Sequence, residues 1–153
     1  MIVGFTGNYR KEEYFSILSK VHGILKNKKI QLLISDDLLK NEIVPIPEEY
    51  SLIEFDRLIK KVDIVFAVGG DGTILSTVRR LGNNQKPIVG IHIGGLGFLS
   101  ECTEDNIEEN INYILENELS TSKRMLLEVC VVSKKKNQVF YAMNDVVVDH
   151  GLS

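Results

Sequence analysis

Apolar positions along this chain recur with two periods. Short, mostly apolar runs at residues 2–6, 30–34, 63–67 and 88–93 have the length and β-branched content of buried strands. Between the first two, Tyr14, Phe15, Ile17, Leu18, Val21, Ile24 and Leu25 return every three to four positions. That spacing predicts a helix over residues 11–26, with Lys26, Lys28 and Lys29 at the negative end of its dipole. Residues 36–50 contain Pro45 and Pro47 and read as a loop with room for one turn of helix. Further helices are predicted over 55–61 and 74–81. Another starts behind Thr103 as N-cap, with acids in its first turn and Ile107, Ile111, Ile114 and Leu115 on one face. Strand and helix alternate four times, the pattern of an α/β fold with right-handed crossovers.

Near residue 123 the pattern changes. Residues 124–133 and 138–148 are β-rich and flank the polar turn 134–137, which predicts an antiparallel hairpin. The expected architecture is therefore an open, mostly parallel sheet with flanking helices over residues 1–122, followed over 123–153 by the first hairpin of an all-β domain. A lone two-stranded hairpin is marginal in water. The chain is accordingly expected to be a truncated product whose β domain is mostly missing.

Composition narrows the class without naming it. The 153 residues are 44% hydrophobic and 25% charged, with a formal net charge of -3. Nothing in that balance points to nucleic acid or an anionic membrane, and the apolar runs are too short for a transmembrane helix. Cys102 and Cys130 have no CxxC spacing and read as reduced, buried thiols of a cytoplasmic protein.

The candidate chemistry sits in two glycine-rich turns. Gly69-Gly70-Asp71-Gly72-Thr73 joins a predicted strand to a predicted helix. Unpaired amides and the positive dipole end at such a helix start attract anions, and glycines let a ligand approach the backbone. The dinucleotide fingerprint fails for want of a third glycine, and no Gly-Lys-Ser/Thr of a P-loop follows. Asp71 would repel a phosphate, so it fits a base or a metal-side ligand; the bland alternative makes Asp71 or Thr73 a simple helix N-cap. The second turn, residues 94–98, follows the next strand, so both turns lie at the carboxyl edge of the sheet, where open α/β sheets bind ligands. There Phe98 reads either as a plug under a helix or as a face that stacks on a base. Asn144 and Asp145 interrupt an apolar strand and can bond ribose hydroxyls or an adenine edge, or form a bulge. His22, His92 and His150 show no spacing for a metal or a nucleophile relay.

Taken in order, Gly69 to Thr73, then Gly90 to Leu99, then Met143-Asn144-Asp145-Val146-Val147-Val148 resemble the motifs of the NAD kinases. Arg124-Met125-Leu126 resembles the stretch that opens that family's β domain. His92 stands where the family commonly has Asn. The first turn alone is shared with diacylglycerol and sphingosine kinases and 6-phosphofructokinases. The resemblance implies an α/β domain followed by a β-sandwich, and ATP-dependent phosphorylation of the 2′-hydroxyl of the adenosine ribose of NAD, giving NADP. It implies Asp71 as proton acceptor, Gly70, Gly72 and Thr73 along the nucleotide phosphates, Phe98 at the adenine pocket, and Asn144 and Asp145 on NAD. Mg²⁺ or another divalent cation would arrive with ATP, with no dedicated metal ligands in the protein. The whole enzyme would be a cytoplasmic homo-dimer or tetramer. The family's later Thr-Pro-Thr-Gly-Ser-Thr-Ala-Tyr segment is absent, so the chain alone is expected to fold in part and to be inactive. Three alternatives stay open: a lipid kinase of the diacylglycerol type, a non-catalytic nucleotide-binding fragment, and a structural domain that binds neither ligand.

Overall fold

The computed structural model describes residues 1–40, 45–94, 97–100, 102–116, 121–134 and 136–149. Gly95 and Leu96 of the second turn, Lys135 of the hairpin turn and His150 lie outside them. In chain order the elements are β1 (Ile2–Gly7), α1 (Glu12–Asn27), β2 (Gln31–Ser35), a 3-10 turn (Asp36–Lys40), β3 (Leu52–Ile53), α2 (Phe55–Leu58), β4 (Ile64–Gly69), α3 (Asp71–Leu81), β5 (Ile88–His92), α4 (Ile107–Glu116), β6 (Leu127–Val131) and β7 (Gln138–Ala142).

β1 to β5 form one parallel sheet in the order β3-β2-β1-β4-β5. Its centre is apolar on both faces, as a parallel sheet covered by helices requires; all six residues of β4 are buried. On one face, Val3, Phe5, Phe66, Val68 and Ile91 pack on Tyr14, Ile17, Leu18, Val21 and Leu25 of α1 and on Ile107 and Ile111 of α4. Phe5 and Tyr14 meet edge to face at 5.4 Å. On the other face, Leu33 and Val65 meet Phe55, Leu58 and Leu81, and Ala67 meets Ile74 and Val78 of α3.

β6 and β7 pair antiparallel as expected. The hairpin joins the rest of the molecule through Leu126 and Met143, which pack on the Ala67, Ile74 and Val78 group. Leu127, Val131, Val139 and Phe140 of the hairpin are exposed.

Several boundaries differ from the sequence reading, each for a local reason. β3 was not expected; at two residues it is too short to show a period. α3 starts at Asp71, three residues before the predicted start, because the extended Gly70 already serves as N-cap without any side-chain bond. Neither Asp71 nor Thr73 is therefore the cap. α4 starts at Ile107, four residues after Thr103, whose amide donates to Asn106 Oδ1 at 2.7 Å. β7 ends at Ala142, which leaves Asn144 and Asp145 beyond the strand. Cys102 is buried, but Cys130 is exposed on the hairpin.

Candidate active site

From β1 the chain proceeds outward to β2 and β3, and from β4 it proceeds the other way to β5. The carboxyl ends of β1 and β4 thus flank the topological switch point, where open α/β sheets bind ligands. Both ends are built from glycine. Gly7 has φ +155°, and a Cβ there would run into the carbonyl oxygen of Val68; Asn8 N–H donates to that same oxygen at 2.8 Å. Gly69 has φ +154°, and a Cβ there would strike the Thr73 side chain. Two strands can turn away side by side here only because neither last residue carries a side chain.

α3 begins at this edge. The Gly70 carbonyl accepts the Thr73 amide at 2.9 Å, so that amide is engaged inside the turn. Thr73 can offer a ligand its hydroxyl, while Asp71 and Gly72 supply first-turn amides. A Cβ on Gly70 or Gly72 would meet nothing within 4 Å, so the space above this turn is open.

Asp71 is the first residue of α3, and the second turn closes onto it. Its Oδ2 accepts the Phe98 amide at 3.0 Å and its Oδ1 accepts the Leu99 amide at 3.1 Å. These bonds, first Phe98 and then Leu99, hold the carboxyl below the usual carboxylate range, and nearby His92 acts in the same direction. The approach is close enough that a Cβ on Gly97 would collide with Asp71 Oδ1 and lie 3.0 Å from its Cγ. Phe98 is 99% exposed. It is not a plug under a helix; its backbone faces Asp71 and its ring faces outward.

His92 ends β5 opposite Gly69 in the register. It is 7% exposed, with Nδ1 2.9 Å from Ser100 Oγ and Nε2 buried without a hydrogen-bond partner among the described residues. Its backbone amide donates to the Cys102 carbonyl at 2.7 Å, and the Cys102 amide donates to the Gly90 carbonyl at 3.3 Å. Ser100 and Cys102 are thereby docked along β5. A Cβ on Gly90 would lie 2.5 Å from Ile74 Cδ1 and 3.0 Å from Ser100 Cβ, so Ser100 sits directly on the strand.

The fold thus gathers Gly70, Asp71, Gly72, Thr73 and the Phe98 backbone at one edge. Asn144 and Asp145 lie on exposed backbone just after Met143, the residue that packs beside Ile74 and Val78 of α3. Sequence reasoning missed Gly7, Asn8 and Ser100 as parts of this edge. Gly7-Asn8 was visible as a strand end, and strand order alone makes it a neighbour of Gly69. A cavity of about 470 Å³ lies apart from Asp71, where Arg79 and Gly82 face Tyr141 and Glu128.

Residues 3–119 match the family model described as the ATP-NAD kinase N-terminal domain. The chain is 32% identical to the NAD kinase of Caldicellulosiruptor saccharolyticus, over 95% of its own length and 48% of the relative. It is 31% identical to the NAD kinase of Christiangramia forsetii over 97% of its length and 52% of that protein. A crystal structure of yeast NADH kinase complexed with NADH shares the fold, with a TM-score of 0.79 at 21% identity, over 94% of this chain and 47% of that one. The chain spans about half the length of the curated relatives it matches. With a family match that takes in the whole parallel sheet and relatives above 30% identity along nearly all its residues, this chain belongs to the ATP-NAD kinase family.

Proposed function

We propose that the chain supplies the acceptor edge of an enzyme that transfers the γ-phosphoryl group of ATP to the 2′-hydroxyl of the adenosine ribose of NAD, giving NADP. The observation that carries this reading is the Asp71 carboxylate. It is fixed and ionised at the switch point by two amides of the second glycine turn. Each carboxylate oxygen keeps a further lone pair for a hydroxyl donor. Phosphoryl transfer passes through a loose transition state, so positioning and charge neutralisation do most of the work. Asp71 orients the ribose hydroxyl and takes its proton as the oxygen–phosphorus bond forms. A carboxyl held below its ordinary range then gives that proton back to water readily. The first-turn amides of α3, over open space at Gly70 and Gly72, receive phosphate oxygens, and the Thr73 hydroxyl lies beside them. The exposed Phe98 ring stacks on the adenine, and Asn144 with Asp145 bonds NAD from the hairpin side.

The family implies a divalent cation, Mg²⁺, and the described residues do not form a protein cage for one. No group of three His, Cys, Asp or Glu side chains comes together among them, and both Asp71 oxygens already accept amides. An ion carried by the ATP phosphates suits this edge, and no step here is assigned to it.

We take residues 1–122 as the α/β unit and 123–153 as the start of a β domain that completes the NAD site. The exposed apolar side chains of β6 and β7 support that reading, as they support a homo-oligomer built through the β domain. Among the described residues no helix is long and apolar enough to cross a membrane, and a cytoplasmic enzyme is the reading we adopt. The lipid-kinase alternative loses its footing with the family match. A nucleotide-binding fragment without turnover remains the second reading, favoured by the half-length coverage.

Calorimetric titration of ATP and NAD into the chain, beside an assay for NADP, tests the proposal. The expected result is binding of both and NADP formation that Asp71→Asn slows by about 10²–10⁴-fold, the usual worth of a general base. Near-normal turnover in Asp71→Asn would remove that residue's role. Binding without turnover would favour the second reading, and two flat titrations would overturn both.

A further inference from the structure

His92 is the one buried histidine among the described residues, and the chemistry above makes no use of it. Its ring lies on the α3 side of the sheet, as the neighbouring positions show. Ile91 faces the α1 cluster, whereas Gly90, two residues away on the alternate face, packs against Ile74 and Ser100. Burial fixes the ring, and Nδ1 is spent on Ser100 Oγ at 2.9 Å. Ser100 immediately follows Leu99, whose amide, with that of Phe98, holds Asp71. The chain of contacts therefore runs from β5 through the His92 ring to Ser100, back one residue to two backbone amides, and onto the carboxylate.

We infer that His92 is a positioning residue for the proposed reaction: its Nδ1–Ser100 hydrogen bond sets the segment whose amides clamp Asp71. Beyond Ser100 the segment is also held to β5 by the Cys102 backbone pairing. The catalytic meaning rests on Asp71 acting as proposed; the clamp itself does not.

The two ring nitrogens can be separated by substitution. Asn places its amide where Nδ1 stands, one bond beyond Cγ, while Gln reaches the position of Nε2. The readout is hydrogen exchange of the Phe98 and Leu99 amides, followed by NMR in the intact chain, with the Ile74 and Val68 amides as controls for the fold. Asp71 needs no substrate for this clamp, so the result stands whether or not the chain turns over NAD. His92→Asn should keep wild-type protection at Phe98 and Leu99. His92→Gln, His92→Leu and Ser100→Ala should each lose about fivefold or more, the worth of one hydrogen bond. Control amides should not move in any variant, and His92→Leu combined with Ser100→Ala should lose no more than either alone. Protection kept in His92→Leu would overturn the inference. So would rescue by Gln instead of Asn, which would assign the function to Nε2, or loss in Asn and Gln alike, which would assign it to the ring's bulk.

Discussion

Asp71 and Gly97 form one unit. A carboxylate can accept two consecutive amides only if the backbone comes very close, and a side chain at position 97 would occupy the place of Oδ1. Gly97→Ala should therefore push the second turn off Asp71 and release both bonds. The Asp71 carboxyl, followed by ¹³C NMR as pH is lowered, should titrate below the ordinary aspartate range in the wild type. In Gly97→Ala it should move up toward that range. The sign follows from the causes: amides bonded to the charged form depress its pKa, and removing them relieves the depression. An unchanged titration would mean the two motifs are not coupled through this contact. From the sequence, the spacing of the motifs made Asp71 conspicuous as an acid where phosphate was expected. It could not reveal that the second motif's backbone grips the first motif's carboxylate, because backbone amides have no sequence signature. The exposure of Phe98 was equally hidden: an aromatic after a buried strand serves as plug or platform with the same residue name.

Among the elements, the strands were the most legible, since a parallel sheet covered on both faces writes itself as mostly apolar runs. Helix ends were the least legible. Asn106, not Thr103, makes the side-chain bond before α4, and Gly70 begins α3 with no side-chain bond at all. The segment after β2 reads from the sequence as a loop with room for one turn of helix; that turn is the 3-10 turn Asp36–Lys40, and it is a polar anchor. Asp37 accepts from Ser35 Oγ at 2.8 Å and Lys40 Nζ at 2.7 Å and pairs with Arg80 at 2.6 Å, while Arg80 lies 3.7 Å over the Phe55 ring. Burial raises the Asp37 pKa, but bonds from Lys40, Ser35 and Arg80 outweigh it and leave the group at about 2, against 3.8 for a free aspartate. A carboxyl depressed by folding contributes stability above its unfolded pKa and loses it as pH falls through the folded value. The urea midpoint of the wild type should thus fall as pH drops from 3.8 to about 2 more steeply than that of Asp37→Asn. Parallel curves for the two proteins would show that this anchor does not contribute.

At the scale of the whole molecule, the chain has one well-covered α/β core and one bare hairpin. That division was legible because the hydrophobic period switches near residue 123, where helix spacing gives way to two β-rich runs. The length of the hairpin strands was not: Asn144 and Asp145 were read inside a strand and lie past its end. Among the described residues β6 and β7 pair only with each other, and a strand without further neighbours has no ladder to extend it. Met143 nevertheless holds the Asn144–Asp145 backbone beside α3, so the hairpin arrives on the side of the sheet that carries the Asp71 turn.

The central claim is that a ribose 2′-hydroxyl meets the clamped carboxylate. The most direct test is an NMR titration of the chain with NAD and with 2′-deoxyadenosine NAD, read at the Asp71 carboxyl and at the Phe98 and Leu99 amides. The account predicts that NAD shifts all three signals and that the deoxy analogue leaves Asp71 largely unmoved at equal occupancy. Equal shifts at Asp71 from both ligands, or none from either, would contradict it.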